Sequence, residues 1–230
     1  MSKFVIKEKI CPFCGAMETR SIAQSLSVAR SPHLKKAILD EEFQLFSCSM
    51  CKEKYYVEDP FFYMDFNDKH WIAVYPLCWE PEWRENEHES TRLFDMYLKG
   101  EYAPPIAHEM ATGFSVRTVF GLLNLADKLR CFDAELNDIS IELLKLHLMK
   151  CTPELDFDIH HRPLLDKVQE GMLTFKVMDE MKNIEKVTFY DMPVSDYHAI
   201  LLNHSYEHAA AFIGNSAYIS IGKLFFDSRK

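Results

Sequence analysis

Apolar and polar positions alternate from the start of the chain. Phe4, Val5, Ile6 and Ile10 give residues 3–10 the period of a strand, which delivers Cys11. Thr19, Ser21, Ala23, Ser25 and Ser27 alternate over residues 18–28 and predict an exposed strand. Ser31-Pro32 sets a capping hydroxyl before a proline at the first helical position, so a short helix is expected through Leu34, Ala37 and Ile38 to about Asp40. Residues 43–47 read as a strand into Cys48. Tyr55-Tyr56-Val57, Phe61-Phe62-Tyr63-Met64 and residues 71–75 read as further strands, the last two joined by a turn at Asn67-Asp68-Lys69.

The pattern then becomes more helical. Residues 80–90 are acidic and read as a solvated loop, and Thr91 to Lys99 as a helix stopped by Gly100. A turn-rich piece at Pro104-Pro105 and a strand over 116–120 follow. Leu122, Leu125, Leu129 and Phe132, then Leu136, Ile139, Leu143 and Leu146, fall at helical spacing and predict two amphipathic helices up to about Lys150. Residues 151–163 are irregular. Residues 173–177 and 186–190 alternate as a hairpin with its turn near Lys182-Asn183; 194–212 read as a helix and 218–221 as a last short strand.

Two hooks interrupt this pattern, Cys11-Pro12-Phe13-Cys14-Gly15 and Cys48-Ser49-Met50-Cys51, with 33 residues between them. Each Cys-x-x-Cys turns two thiolates toward one point, and four soft sulfurs fill the tetrahedral shell of zinc. The metal residues expected are Cys11, Cys14, Cys48 and Cys51, and the cofactor is structural Zn2+. A redox dithiol would need one hook opening a helix after a strand; here both precede polar sequence. Lys52 stands where a glycine often follows the second hook, a place where a left-handed backbone would strain a lysine. The fold class expected is α+β: an N-terminal zinc ribbon with a small antiparallel β-sheet over 1–76, an acidic and turn-rich connection with a short helix over 77–113, and an α+β part over 114–230 with amphipathic helices and a C-terminal β-hairpin plus helix.

The same residues carry a resemblance. The first hook, the second hook after Phe46-Ser47, the stretch Tyr56-Val57-Glu58-Asp59-Pro60-Phe61-Phe62-Tyr63, and the later Lys128-Leu129-Arg130-Cys131-Phe132-Asp133 and Asn137–Lys145 resemble the bacterial CpXC-domain family, over roughly residues 8–150. The family is named for its cysteine motif. The resemblance implies the ligand role for the same four cysteines and brings no established activity.

Composition narrows the function. The net charge of −9 argues against a general nucleic-acid or anionic-membrane surface, which needs a basic face. No apolar run approaches about 18 residues, so no spanning helix is expected. Residues 1–5 lack the features of a signal peptide, and a cytoplasmic location is expected. Cys78, Cys131 and Cys151 are expected to be buried or idle thiols.

His204-Ser205-Tyr206-Glu207-His208 matches an inverted metalloprotease pattern but reads more simply as two histidines on an amphipathic helix. Asp156, Asp158, His160 and His161 crowd one loop, which polar loops often do. Aromatics from Tyr55 to Trp71, interleaved with Lys52, Lys54 and Lys69, could stack bases, yet alternation sends about half of them inward and acidic residues dilute the charge. With seven glycines in the chain there is no phosphate-cradling loop. The reading is a non-catalytic zinc-binding protein whose partner is another protein, with Trp79 and Trp83 as candidate anchors. A nucleic-acid-binding ribbon is the alternative, and a hydrolase using the C-terminal His and Asp groups stands third.

Overall fold

The alternating N-terminal residues form a hairpin: β1 (Lys3–Ile10) pairs antiparallel with β2 (Met17–Ser27), Ile10 facing Met17 across the first hook. This is seen in a computed structural model, which describes residues 2–100, 105–155, 157–179 and 186–227. The turn signals at Pro104 and at Lys182-Asn183 lie outside the described residues, as does Asp156. The second half of β2 is not exposed as its polar alternation suggests. Ile22, Ala23, Leu26 and Ser27 are buried there, because the strand continues past the hook into the main sheet.

After β2 a short helix, α1 (Pro32–Leu39), starts at its proline as expected, although the Ser31 side chain makes no capping hydrogen bond. A two-stranded hairpin follows, β3 (Leu45–Ser47) with β4 (Lys54–Tyr56), carrying the second hook at its tip. The hairpin is tied to β2 by Gln44, which is buried. Its Oε1 accepts from Ala23 N–H at 2.8 Å, and its Nε2 donates to Val57 O at 2.8 Å. A buried amide satisfied on both ends fixes register as well as position.

The sheet beneath the hooks has five strands in the order β1-β2-β5-β6-β7, with β5 (Phe61–Asp65), β6 (His70–Tyr75) and β7 (Ser115–Phe120). It is larger than expected and mixed: β2 pairs parallel with β5, and β6 parallel with β7. The expected turn at Asn67–Lys69 joins β5 to β6, with Asp65 Oδ1 accepting from Asn67 N–H at 3.0 Å. Parallel neighbours need a crossover, and here it contains α2 (Trp83–Leu98) and α3 (Pro105–Ala111). The acidic stretch 80–90, expected as a loop, is thus largely helix. Trp83, Ser90 and Phe94 share its buried side, while Glu85 and Glu89 face water. Phe94 packs edge-on against Trp71 with ring centroids 5.4 Å apart.

By contacts the chain divides into two compact units, Met1–Ala126 and Asp127–Lys230. The expected boundary near residue 114 therefore falls inside the first unit, since β7 hydrogen-bonds to β6. The second unit takes most of α4 (Leu122–Asp133) and all of α5 (Asp138–Cys151), whose N-cap Asn137 accepts from Ser140 N–H at 3.0 Å. Its antiparallel sheet β10-β9-β8 comprises β8 (Leu164–Gln169), β9 (Met172–Asp179) and β10 (Lys186–Pro193); the expected hairpin is β9–β10, and β8 was not foreseen. The expected helix over 194–212 is two, α6 (Val194–Ile200) and α7 (Glu207–Gly214). Residues 218–221 form a buried, non-strand segment before α8 (Gly222–Asp227). The α+β class is the class observed.

The core of the second unit gathers Ile141, Leu144, Leu173, Phe175, Ile213 and Ile221. Although α5 reads as amphipathic, its charged residues Asp138, Glu142 and Lys145 are also buried, and of its charges only Lys150, at its end, is exposed. Lys145 Nζ donates to Asp127 Oδ2 and Glu142 Oε1, both at 2.6 Å, and Lys128 Nζ donates to Asp138 Oδ2 at 3.3 Å and Ile219 O at 3.0 Å. Glu142 Oε2 accepts from Ile221 N–H at 2.7 Å, which holds the 218–221 segment against α5. Burial pushes the Glu142 carboxyl up, but the charges of Lys145 and Lys128 with the hydrogen bonds from Lys145 and Ile221 N–H together outweigh it and keep the carboxyl below its ordinary range.

Candidate metal centre

Both hooks are built alike. In the first, Cys11 N–H donates to Ala16 O at 2.8 Å and Gly15 N–H to Cys11 O at 3.0 Å; in the second, Cys48 N–H donates to Glu53 O at 2.9 Å and Lys52 N–H to Cys48 O at 3.0 Å. Gly15 has φ +74° and Lys52 φ +68°, so the left-handed residue anticipated after the second hook is present, and it is a lysine. Lys52 Nζ donates to Ser49 O at 2.7 Å and closes the turn over its own knuckle.

The two knuckles face each other. Cys11 Sγ lies 3.7 Å from Cys51 Sγ and Cys14 Sγ 3.6 Å from Cys48 Sγ, and all four sulfurs lie within 4.8 Å of one another. A tetrahedron with Zn–S of about 2.3 Å has edges of about 3.8 Å, whereas a disulfide would need about 2.05 Å. The spacing fits one shared ion and no S–S bond. Cys11 and Cys48, the first residues of the hooks, are buried; Cys14 is exposed and Cys51 half-buried. Backbone N–H groups of Cys51 and Met50 aimed at Cys48 lower its thiol to about 7. At Cys51 the Glu53 N–H favours the thiolate, but burial and the neighbouring sulfurs outweigh it and push the thiol up to about 12. Four sulfurs this close cannot all ionise unaided; a divalent cation is what lets them.

A brace outside the hooks sets their spacing. Glu18, on β2 just after the first knuckle, accepts from Ser49 N–H of the second at 2.7 Å and from Tyr55 OH at 3.2 Å, and pairs with Arg20. Arg20 also donates to Ser47 O at 2.7 Å and lies over the Phe46 ring at 4.9 Å. Ser49, through its hydroxyl and N–H, with Arg20 and Tyr55, holds the Glu18 carboxyl at about 2. Sequence reading missed this brace. The only signal was the charged pair Glu18 and Arg20 on one face of an otherwise small-residue strand.

A family model for the CpXC protein matches residues 10–145, more than half of the chain. The chain belongs to the CpXC protein family. The CpXC segment takes in both knuckles, the brace, β2 and β5–β7 in full, and the buried charges Asp127, Lys128, Asp138, Glu142 and Lys145. No curated protein and no solved structure matches the chain.

The other candidates are placed differently. Among the described residues, the four cysteines of the CpXC hooks are the one group of three or more His, Cys, Asp or Glu side chains close enough to share an ion. His204 precedes α7 and pairs with Glu207, and both side chains are exposed; His208 follows on the helix, also exposed. His160 and His161 sit in a short turn capped by Asp158, which accepts from His160 N–H at 2.8 Å. Of the ribbon aromatics, Tyr55, Phe61, Tyr63 and Trp71 are buried, and Phe62 packs on Trp71 at 5.1 Å. Trp83 is buried as well and cannot anchor a partner, whereas Trp79 is partly exposed and stacks on Tyr75. Cys131 is buried as expected, its thiol pushed up to about 12 by burial. Cys78 and Cys151 are exposed instead, Cys151 at 3.6 Å from His147 Nε2. No helix among the described residues is long and apolar enough to cross a membrane.

Proposed function

We propose that Cys11, Cys14, Cys48 and Cys51 hold one zinc ion that staples the N-terminal unit, and that the chain is a non-catalytic module working through contact with another protein. The sulfur tetrahedron carries this reading: four protein thiolates complete the zinc shell and leave no position for water or substrate. Metal binding then appears as folding free energy, since the hooks and the small β3–β4 hairpin have little core of their own. Four reduced thiols suit a reducing compartment, so the location proposed is cytoplasmic.

Two further facts favour a protein partner over nucleic acid. The aromatic rings of the ribbon are largely committed to the core, and a chain of net charge −9 repels phosphate. Elemental analysis of protein purified without added metal, together with hydrogen exchange on Cys48→Ser, tests the staple. One zinc per chain and loss of protection over residues 4–56 in the variant are expected. A metal-free protein with full protection there would remove the reading.

A further inference from the structure

The first strand is an open edge of its sheet. β1 ends the five-stranded sheet, with β2 on one side and no further strand paired to the other among the described residues. Its eight residues divide by parity. Phe4, Ile6 and Ile10 lie on one face with exposures of 40, 71 and 65%, interrupted by Glu8. Lys3, Lys7 and Lys9 share the other face with Val5, and Lys7 and Lys9 reach Asp59. Natural edges are often blunted by lysines, a proline, a bulge or a covering loop; β1 carries three lysines and a register shift at Lys3/Phe4, and beside them an apolar row that can template another strand.

We infer that β1 accepts an extended segment of a partner protein whose side chains alternate apolar and acidic, added antiparallel as a sixth strand. The inference rests on the protein-interaction reading above. Charge selects the occupant. A second copy related by a two-fold axis through the sheet pairs residues of equal parity, so that the sum of paired numbers is even. Sums of 10, 12, 14, 16 and 18 oppose Lys3 to Lys7, Lys3 to Lys9, Lys7 to itself, Lys7 to Lys9, and Lys9 to itself. Every register that pairs five or more residues of the strand is among these and sets lysine against lysine, and like charges directly opposite one another are unfavourable. An acidic strand reverses the sign on that face while its apolar residues cover Phe4, Ile6 and Ile10. Asp59 offsets only one of the three lysine charges on that face, which stays net positive in a chain acidic overall.

The test uses the full zinc-loaded chain and two labelled eight-residue peptides, one alternating valine with glutamate and one alternating valine with lysine. Fluorescence anisotropy at low salt should show the acidic peptide binding about tenfold or more tighter, with slowed hydrogen exchange confined to residues 3–10. Ile6→Asp should abolish binding while zinc content stays unchanged, and Lys3→Glu with Lys7→Glu should invert the peptide preference. Equal binding of both peptides, or binding without slowed exchange in β1, overturns the inference. So does sedimentation showing a dimer that Ile6→Asp dissociates, or a native partner retained by that variant. Such a retained partner would leave the protein-interaction reading standing, and loss of zinc with intact peptide binding would strike only at the staple.

Discussion

Gly15 and Lys52 hold the same place in the two knuckles. Each follows the outer cysteine of its hook, each has a positive φ, and each donates its N–H at 3.0 Å to the carbonyl of the hook's first cysteine. Only glycine adopts this backbone without cost. The second knuckle therefore carries strain that the first lacks, set against the bond from Lys52 Nζ to Ser49 O.

This difference can be measured. A Cβ at Gly15 would meet nothing within 4 Å, so Gly15→Ala tests backbone conformation alone. It should cost about 1–2 kcal/mol, read as about tenfold weaker zinc affinity in competition with a chelator. Lys52→Gly should tighten zinc or leave it unchanged, and Lys52→Val, with its branched Cβ, should weaken it. Equal effects of glycine and valine would show that φ at this site does not matter.

Acid should act partly through Glu18. Its folded pKa of about 2 lies below the ordinary 4.5, so its contribution is complete above pH 4.5 and is lost as pH falls toward 2. Glu18→Gln should lower thermal stability above pH 4.5, and its curve should converge with that of the parent near pH 2. Thiolate protonation releases zinc in both proteins, so the difference between the curves isolates the carboxylate. A constant offset down to pH 2 would contradict the brace.

Thiol chemistry should divide the seven cysteines into three groups. In the native protein, iodoacetamide followed by mass spectrometry should modify Cys78 and Cys151, which are exposed. Cys131 should resist because it is buried and its thiol is held up at about 12. The four hook cysteines should resist until a chelator is added. Rapid modification of exposed Cys14 without chelator would argue that no metal holds it.

Lys145→Met should be severe. It leaves Asp127 and Glu142 buried without their shared cation, and breaking such a set costs about 3–5 kcal/mol. Hydrogen exchange should rise across residues 138–151 while zinc content is unchanged. Adding Asp127→Asn and Glu142→Gln should recover most of the loss, since both amides keep an acceptor for Leu165 and Ile221 N–H. No recovery in the triple variant would mean that packing of the lysine stem, not charge, holds α5.

Much of the first unit was legible because its information is local. A Cys-x-x-Cys hook brings its own two sulfurs together by spacing, and strands such as β5 and β6 declare themselves by alternation and an intervening turn. The 3.6-residue period likewise marked α4 and α5. Residues 80–90 misled because acidic composition outweighed Trp83, Ser90 and Phe94, whose common side has meaning only with Trp71 and Thr118 to bury it.

The sequence by itself determined the four-cysteine hooks, the α+β class and the positions of most elements, since each hook or element depends on residues a few places apart. Tertiary structure alone decided that β2 and β6 take parallel neighbours, that Glu18 and Arg20 brace the second knuckle from the first, and that Asp138, Glu142 and Lys145 of α5 turn inward. These depend on groups tens of residues away. Whether a carboxylate faces water or a buried lysine is set by what the fold brings opposite it, and alternation along one strand or helix carries no record of that.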